Sequence, residues 1–373
     1  MMPPEVTVMG AGVFGLACAW ALVRRGARVT VVDPRGIGAG ASGGLVGALA
    51  PHAPDRWGPV QAFQLGALAM APGWWADVAA AGGGDPGYAR LGRRMPLRDA
   101  AAVARAEARG QGAATRWGGA GDWRVVPSDG VGALAPVSPT GLLAADTLTA
   151  RIHPRRALDA LAAAIRAAGG DLRAALPARP PAAAVLWATG AAGLAALSAD
   201  LGRDVGRGEK GQALLLDHDA AGAPLVGDDG LWIVPHADGT TAIGSTSERV
   251  WTDPGPDAAL DAVLARAVAL VPALAGARVL ERWAGIRPRS ATRQPVLGPW
   301  PGRPGHHVAN GGFKIGFALA PLVGEAMADW LLEGRKTWPD AFTLAAAGEN
   351  PSLDAGGKAP GGFTPPGPPA GYL

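Results

Sequence analysis

The residues of this chain best suited to chemistry stand near its start, in the run Gly10-Ala11-Gly12-Val13-Phe14-Gly15. The Gly-x-Gly-x-x-Gly spacing suits a dinucleotide-binding turn: Gly10 permits a tight bend, Gly12 lets backbone approach a pyrophosphate, and Gly15 lets a helix pack on a strand. A helix beginning there faces the phosphates with unpaired N–H groups and a partial positive charge. Asp33 follows, 23 positions after Gly10, where a carboxylate accepts from a ribose hydroxyl pair. An acid there favours a free 2′-hydroxyl, as in FAD or NAD, over NADP. The glycines alone are a weak signal; their strength comes from the elements around them.

Those elements are legible. Glu5–Met9 reads as a short buried strand, Phe14–Arg25 as a helix closed by Gly26, and Arg28–Asp33 as a second strand. Strand, helix and strand in about 30 residues make a βαβ unit and imply a parallel sheet. Val6 to Val23 carries no charge over 18 residues, a membrane-spanning length. The glycine spacing explains that run better, and no positive charge precedes it, so neither a membrane segment nor a signal peptide is expected. Further along, helices are predicted at Gln61–Ala80, Ala100–Gly110, Arg155–Ala168, Pro256–Leu270 and Leu319–Leu332, and a strand at Ala183–Ala188. Leu231–Pro235 and Thr240–Ser245 flank His236-Ala237-Asp238-Gly239, a hairpin with Asp-Gly at its turn.

Composition sets limits. The 57 glycines and 34 prolines among 373 residues approach a disordered composition. A 49% hydrophobic and 17% charged content is the reverse of what disorder needs. One cysteine, Cys18, excludes a disulfide framework, a cysteine zinc site and a cysteine-held iron–sulfur cluster, and fits the cytoplasm. The net charge is only +3 and the basic residues form no single stripe, so a nucleic-acid partner is not expected. The fold class is α/β: a Rossmann-type, parallel-sheet domain interleaved with an antiparallel-sheet substrate domain. The first takes residues 1–85, 141–205 and 286–350, and the second 86–140 and 206–285. Residues 351–373 form a glycine- and proline-rich tail, predicted to be disordered or loosely draped.

Further motifs recur in order. They are Gly40-Ala41-Ser42-Gly43, Ala188-Thr189-Gly190, Lys210-Gly211-Gln212, Trp283-Ala284-Gly285-Ile286-Arg287-Pro288, Pro295-Val296-Leu297-Gly298 and Gly311-Gly312-Phe313-Lys314-Ile315-Gly316. With these the chain resembles the FAD-dependent D-amino-acid oxidase superfamily, nearest to its glycine oxidase and sarcosine oxidase-like branch. The resemblance implies an FAD-dependent oxidoreductase that oxidises the C–N bond of a small amino acid or N-alkylglycine. Hydride passes to flavin N5 and the imine hydrolyses in water. The cofactor carries such chemistry, so the lack of a Ser/His/Asp or metal constellation is expected.

The resemblance also implies site residues. Arg287, and Lys314 of the Gly-Phe-Lys run, hold the substrate carboxylate; His52 and His236 border the pocket. Gly10, Gly12, Val13, Phe14, Gly15, Asp33, Pro34, Arg35, Ala41, Ser42, Gly47, Ala48, Leu49, Thr189, Gly190, Arg287, Gly311, Gly312, Phe313, Lys314, Ile315 and Gly316 hold FAD. The FAD is non-covalent, because no cysteine lies near Arg287 for the sarcosine branch's flavin link. The lysine that promotes oxygen reaction in that branch falls near Ala242 and is missing, which leaves oxidase and dehydrogenase both open. Between Gly170 and Val185 the chain is shorter than usual, implying a trimmed β-meander behind the adenine. Arg289 and Arg293 are expected to be surface or phosphate-side charges. The partner is a small-molecule amino acid or amine, and the oligomer is open. Two alternatives remain: a tRNA wobble-uridine carboxymethylaminomethyl oxidoreductase, and a flavin-binding pathway subunit with little activity on free amino acids.

Overall fold

The structure is a computed structural model that describes residues 3–128, 132–175 and 184–346. The predicted tail and most of the shortened segment before Val185 lie outside the described residues. Its helices are α1 (Val13–Arg24), α2 (Pro59–Gly82), α3 (Ala100–Arg116), α4 (Pro154–Ala167), α5 (Gly190–Leu201), α6 (Ala259–Leu270) and α7 (Gly316–Glu333). Every residue from Val13 to Val23 is buried, so the uncharged run is a core helix, packed against α7 and α4. No described helix is long and apolar enough to cross a membrane. Helix α2 runs through Pro72. A proline cannot donate to the carbonyl four residues back; Arg90 Nη2 donates to that Leu68 carbonyl instead, at 2.8 Å.

A six-stranded sheet takes, in spatial order, Val296–Pro299, His306–Asn310, Ala184–Trp187, Glu5–Met9, Arg28–Val32 and Asp171–Arg173. All neighbours are parallel except the first pair. Three adjacent parallel strands, His306–Asn310, Ala184–Trp187 and Glu5–Met9, each lead through a short turn into a helix: α7, α5 and α1 respectively. Those three helix starts therefore lie side by side at the carboxyl edge of the sheet, where open α/β folds bind ligands.

The second sheet has eight strands, ordered Arg278–Ser290, Gly206–Asp217, Thr240–Gly244, Leu231–Pro235, Leu225–Asp228, Arg93–Pro96, Leu142–Asp146 and Trp123–Pro127. The Asp-Gly hairpin is where the sequence puts it, but the sheet is mixed, because Leu225–Asp228 runs parallel to Arg93–Pro96. Two expected domain boundaries shift. Leu142–Asp146 pairs within the second sheet, so that region extends past residue 140. Past a register shift between Leu215 and Leu216, the ladder between Arg278–Ser290 and Gly206–Asp217 runs in register from Glu281 to Ser290, past the expected exchange at 285.

One buried ion pair fastens the outer half of this sheet. Asp146, fully buried, accepts from Arg93 Nε at 2.8 Å and from the Thr149 amide at 2.7 Å. The Arg93 guanidinium stands over the Trp123 and Trp232 rings, at 5.7 and 5.4 Å. Asp146→Ala strands a buried cation. It is expected to lower unfolding free energy by about 3–5 kcal/mol in urea titration; a loss below about 1 kcal/mol, the size of a surface ion pair, would contradict that role.

Candidate functional site

A cavity of ≈ 1830 Å³ runs between the two sheets. It is bordered by Asp33, Pro34 and Arg35, by Gly12, Val13, Phe14 and the loop from Ile37 to Ala48, and by Trp232, Ser245, Trp283, Arg287 and Lys314. The three adjacent helix starts all open onto it, through Gly12–Phe14, Thr189–Ala192 and Ile315–Phe317. In none of these helices does the N-cap residue's own side chain cap the first turn, and none has an acidic residue there. Each leaves N–H donors and a partial positive charge at its start.

The turn before α1 is built by backbone contact. A Cβ at Gly10 would lie 2.5 Å from the Ala188 carbonyl oxygen, and one at Gly15 would collide with the Gly10 carbonyl. Asp33 shapes the same turn: its Oδ2 accepts from the Ala11 amide and its Oδ1 from the Arg35 amide, both at 3.0 Å. Ser42 Oγ accepts from the Val13 amide at 3.0 Å. Arg155, which the sequence does not single out, ties the adjoining loop to the second sheet. Its Nε donates to the Gly43 carbonyl at 2.9 Å, and its other nitrogens grip Glu281 at 2.9 and 2.6 Å.

Most of the expected FAD residues border the cavity. Gly10, Gly15, Leu49 and Gly311 do not. The three glycines act through backbone geometry, and Leu49 is fully buried core. Donor groups, a ribose-side carboxylate and close backbone suit a dianionic dinucleotide. The residues present therefore fit FAD: Asp33 would meet the ribose, and the starts of α1 and its neighbours would meet the phosphates.

Arg287 and Lys314 face the same cavity. Arg287 donates to the Thr246 carbonyl at 3.0 Å and to Ser245 Oγ at 2.7 Å. Burial lowers its affinity for a proton, and Glu209 and Glu248 partly restore it. Burial, then the nearby Arg287 charge, likewise pulls the Lys314 ammonium below the usual lysine range. Among the described residues neither cation has a carboxylate within ion-pair distance, whereas Arg289 lies 3.4 Å from Glu209. Arg289 is 5% exposed, which corrects its expected surface placement.

His52 borders the cavity. Gln64 holds its backbone amide at 2.7 Å, and burial lowers the imidazole pKa below the usual histidine value. His236 does not belong with it. It is 1% exposed, absent from the cavity wall, and bonded through Nε2 to the Leu45 carbonyl at 3.0 Å. Its ring packs 4.7 Å from that of His153. The hairpin faces this residue into the sheet core, so it supports the loop at Leu45 from behind. Trp283, by contrast, borders the cavity without having been expected there. Cys18 is core, as its place on α1 suggests.

Comparison with known proteins adds an independent line. The family model described as FAD dependent oxidoreductase matches residues 5–330. A putative thiamine biosynthesis oxidoreductase ThiO from Rhizobium etli is 31% identical over 346 residues, covering 88% of this chain and 96% of that protein. A glycine oxidase from Pseudomonas putida is 38% identical over 120 residues, 32% of this chain; the match spans about a third of that relative's length (33%). Among solved structures, glycine oxidase from Geobacillus kaustophilus superposes with TM-score 0.79 at 24% identity, over 91% of this chain and 98% of that one. Iminodiacetate oxidase from Chelativorans sp. BNC1 gives 0.78 at 22% identity, over 91% and 98%. At these identities the structural likeness speaks for the fold.

His236 generates a pH prediction. Burial, and then the neighbouring His153, push its pKa down to about 4, against about 6.5 in an unfolded chain. The unfolded state therefore binds a proton first as pH falls. The stability carried by neutral His236 is complete above about pH 6.5 and is lost towards pH 4, by about 3 kcal/mol. His236→Gln should flatten that part of the stability profile in urea titrations at pH 7 and 4.5. An equal decline in both proteins would contradict it.

Proposed function

Because this chain belongs to the family of FAD dependent oxidoreductases, with FAD as its cofactor, we propose that it oxidises the C–N bond of a small amino acid or N-alkylglycine. The observation that carries this reading is the pair Arg287 and Lys314, two cations without carboxylate partners among the described residues, on the wall of the same cavity that Asp33 borders. A free substrate carboxylate supplies the missing partner. The Arg287 fork grips it with two parallel hydrogen bonds, and Lys314 adds a point charge from the start of α7.

When bound, FAD accepts the two electrons and the hydrogen removed from the carbon bearing the amine. The side chains prepare the substrate for that loss. Fixing the carboxylate fixes the adjacent carbon, which is a gain in orientation. Arg287 and Lys314 also disfavour a third positive charge beside them, so the substrate amine is held in its neutral form with its lone pair available. His52, kept neutral near pH 7 by burial, adds no further charge. Trp283 and Trp232 wall the same cavity with apolar surface, which strengthens the ion pairing. The imine that leaves takes up water to give a carbonyl acid and an amine or ammonia.

A second reading concerns where the product goes. The full-length similarity to a putative thiamine biosynthesis oxidoreductase supports a role supplying that pathway with an imine or its hydrolysis product. In both readings the enzyme works in the cytoplasm on a small molecule.

Steady-state assays with glycine, sarcosine, proline and D-amino acids, using oxygen and an artificial acceptor, test the activity and separate oxidase from dehydrogenase. Arg287→Ala leaves the substrate carboxylate without its main partner. It should cut kcat/KM by at least ~30-fold, about 2 kcal/mol. An unchanged value would remove Arg287 from the site.

A further inference from the structure

Two glycines face each other directly across the longest ladder of the second sheet: Gly211 on Gly206–Asp217 and Gly285 on Arg278–Ser290. Side chains two apart on a strand share a face, so Trp283, Gly285 and Arg287 lie along one side of their strand. Gly211 is diagonal to Arg287, on the same side. The structure uses the room both glycines leave. A Cβ at Gly211 would fall well within 3.0 Å of the Arg287 guanidinium carbon and both its terminal nitrogens. A Cβ at Gly285 would fall 2.5 Å from Trp283 Cζ2. The guanidinium thus lies flat on one glycine of the pair and the indole on the other. The indole edge also reaches the cofactor-side loop, where a Cβ at Gly44 would sit 3.0 Å from Trp283 Cη2.

Neither Gly211 nor Gly285 has a backbone angle reserved for glycine; both sit in regular extended strand. A glycine there weakens a strand, so what requires it is the space above it. We propose that Gly211 and Gly285 form a shelf that sets the position of Arg287 and Trp283, making Gly211 a positioning residue for carboxylate recognition. The shelf sinks the guanidinium to where the Thr246 carbonyl and Ser245 Oγ steady it, leaving its outer face to the cavity. The shelf sinks Trp283 in the same way, and the two flat groups together make the floor of the substrate end. The inference rests on the carboxylate role proposed for Arg287 and extends it to a residue with no functional atoms of its own.

A methyl group on the shelf meets only the tip of a flexible side chain, so the fold tolerates it while the guanidinium is displaced. Gly211→Ala in the FAD-loaded enzyme should raise KM for glycine by ~10-fold or more, the loss of a charge-assisted hydrogen bond, with kcat changed far less, as for binding shared by ground and transition states. Acetate, a carboxylate with no amine, should perturb the flavin absorbance with a similarly weakened dissociation constant. Arg287→Lys supplies the decisive cycle. The slimmer ammonium clears an alanine methyl, so the Lys substitution should cost affinity in the wild-type background and cost little or restore it when combined with Gly211→Ala. That non-additivity marks direct coupling, which a general loosening of the sheet would not produce. If Arg287→Ala weakens acetate binding and Gly211→Ala does not, or if Gly211→Ala and Arg287→Lys simply add, the shelf is overturned while the role of Arg287 stands. If Arg287→Ala leaves acetate binding unchanged, the carboxylate reading fails and the shelf fails with it.

Discussion

Three helix N-termini pointing into one cavity are the constraint on which the rest of this structure depends. Each start carries N–H donors and about half a positive charge; α1, α5 and α7 have no N-cap side chain and no first-turn acid to answer them, and at α1 Ser42 meets one amide, that of Val13. The convergence follows from topology: three neighbouring parallel strands end at one edge, and each turns at once into its helix. Such an edge calls for an anion, and an FAD pyrophosphate meets that demand. The glycine turns are what let backbone come close enough for those donors to count.

The second sheet carries the other half of the chemistry. Its strand Arg278–Ser290 lays Trp283, Arg287 and Arg289 along one side, with Glu209 opposite Arg287 in register. Glu209 pairs with Arg289 and also meets Ser247, so Arg287 stays available to the cavity. The Arg155–Glu281 grip joins this strand to the loop at Gly43, so the Arg287 strand and that loop are held in one frame.

The first βαβ unit was legible in the sequence because local rules fix it: glycine spacing, an apolar helix closed by glycine and an acid at a strand end all lie within about 30 residues. The Arg287 segment was legible through its motif. Other features depend on tertiary pairing that no local pattern encodes. Leu142–Asp146 carries no motif of its own, and only its partners Arg93–Pro96 and Trp123–Pro127 assign it to the second sheet. His236 occupies a hairpin position whose inward or outward facing depends on which side of the sheet is covered. The start of α5 carries no long motif beyond Thr189-Gly190, yet it contributes as much helix dipole as α1. Gly211 enters the sequence only as the middle of the Lys210-Gly211-Gln212 motif, and only the side chain that the neighbouring strand lays over its empty face suggests what it is for.

The central claim is that a carboxylate-anchored amine delivers its electrons to the bound flavin at this cavity, and anaerobic mixing tests it most directly. Purified yellow enzyme would be mixed, without oxygen, with glycine and separately with glycinamide, which keeps the amine and replaces the carboxylate. The account predicts that glycine, or another small amino acid, bleaches the visible flavin absorbance and that the matching amide does so far more slowly. Equal bleaching by acid and amide, or no bleaching by any small amino acid, would contradict it.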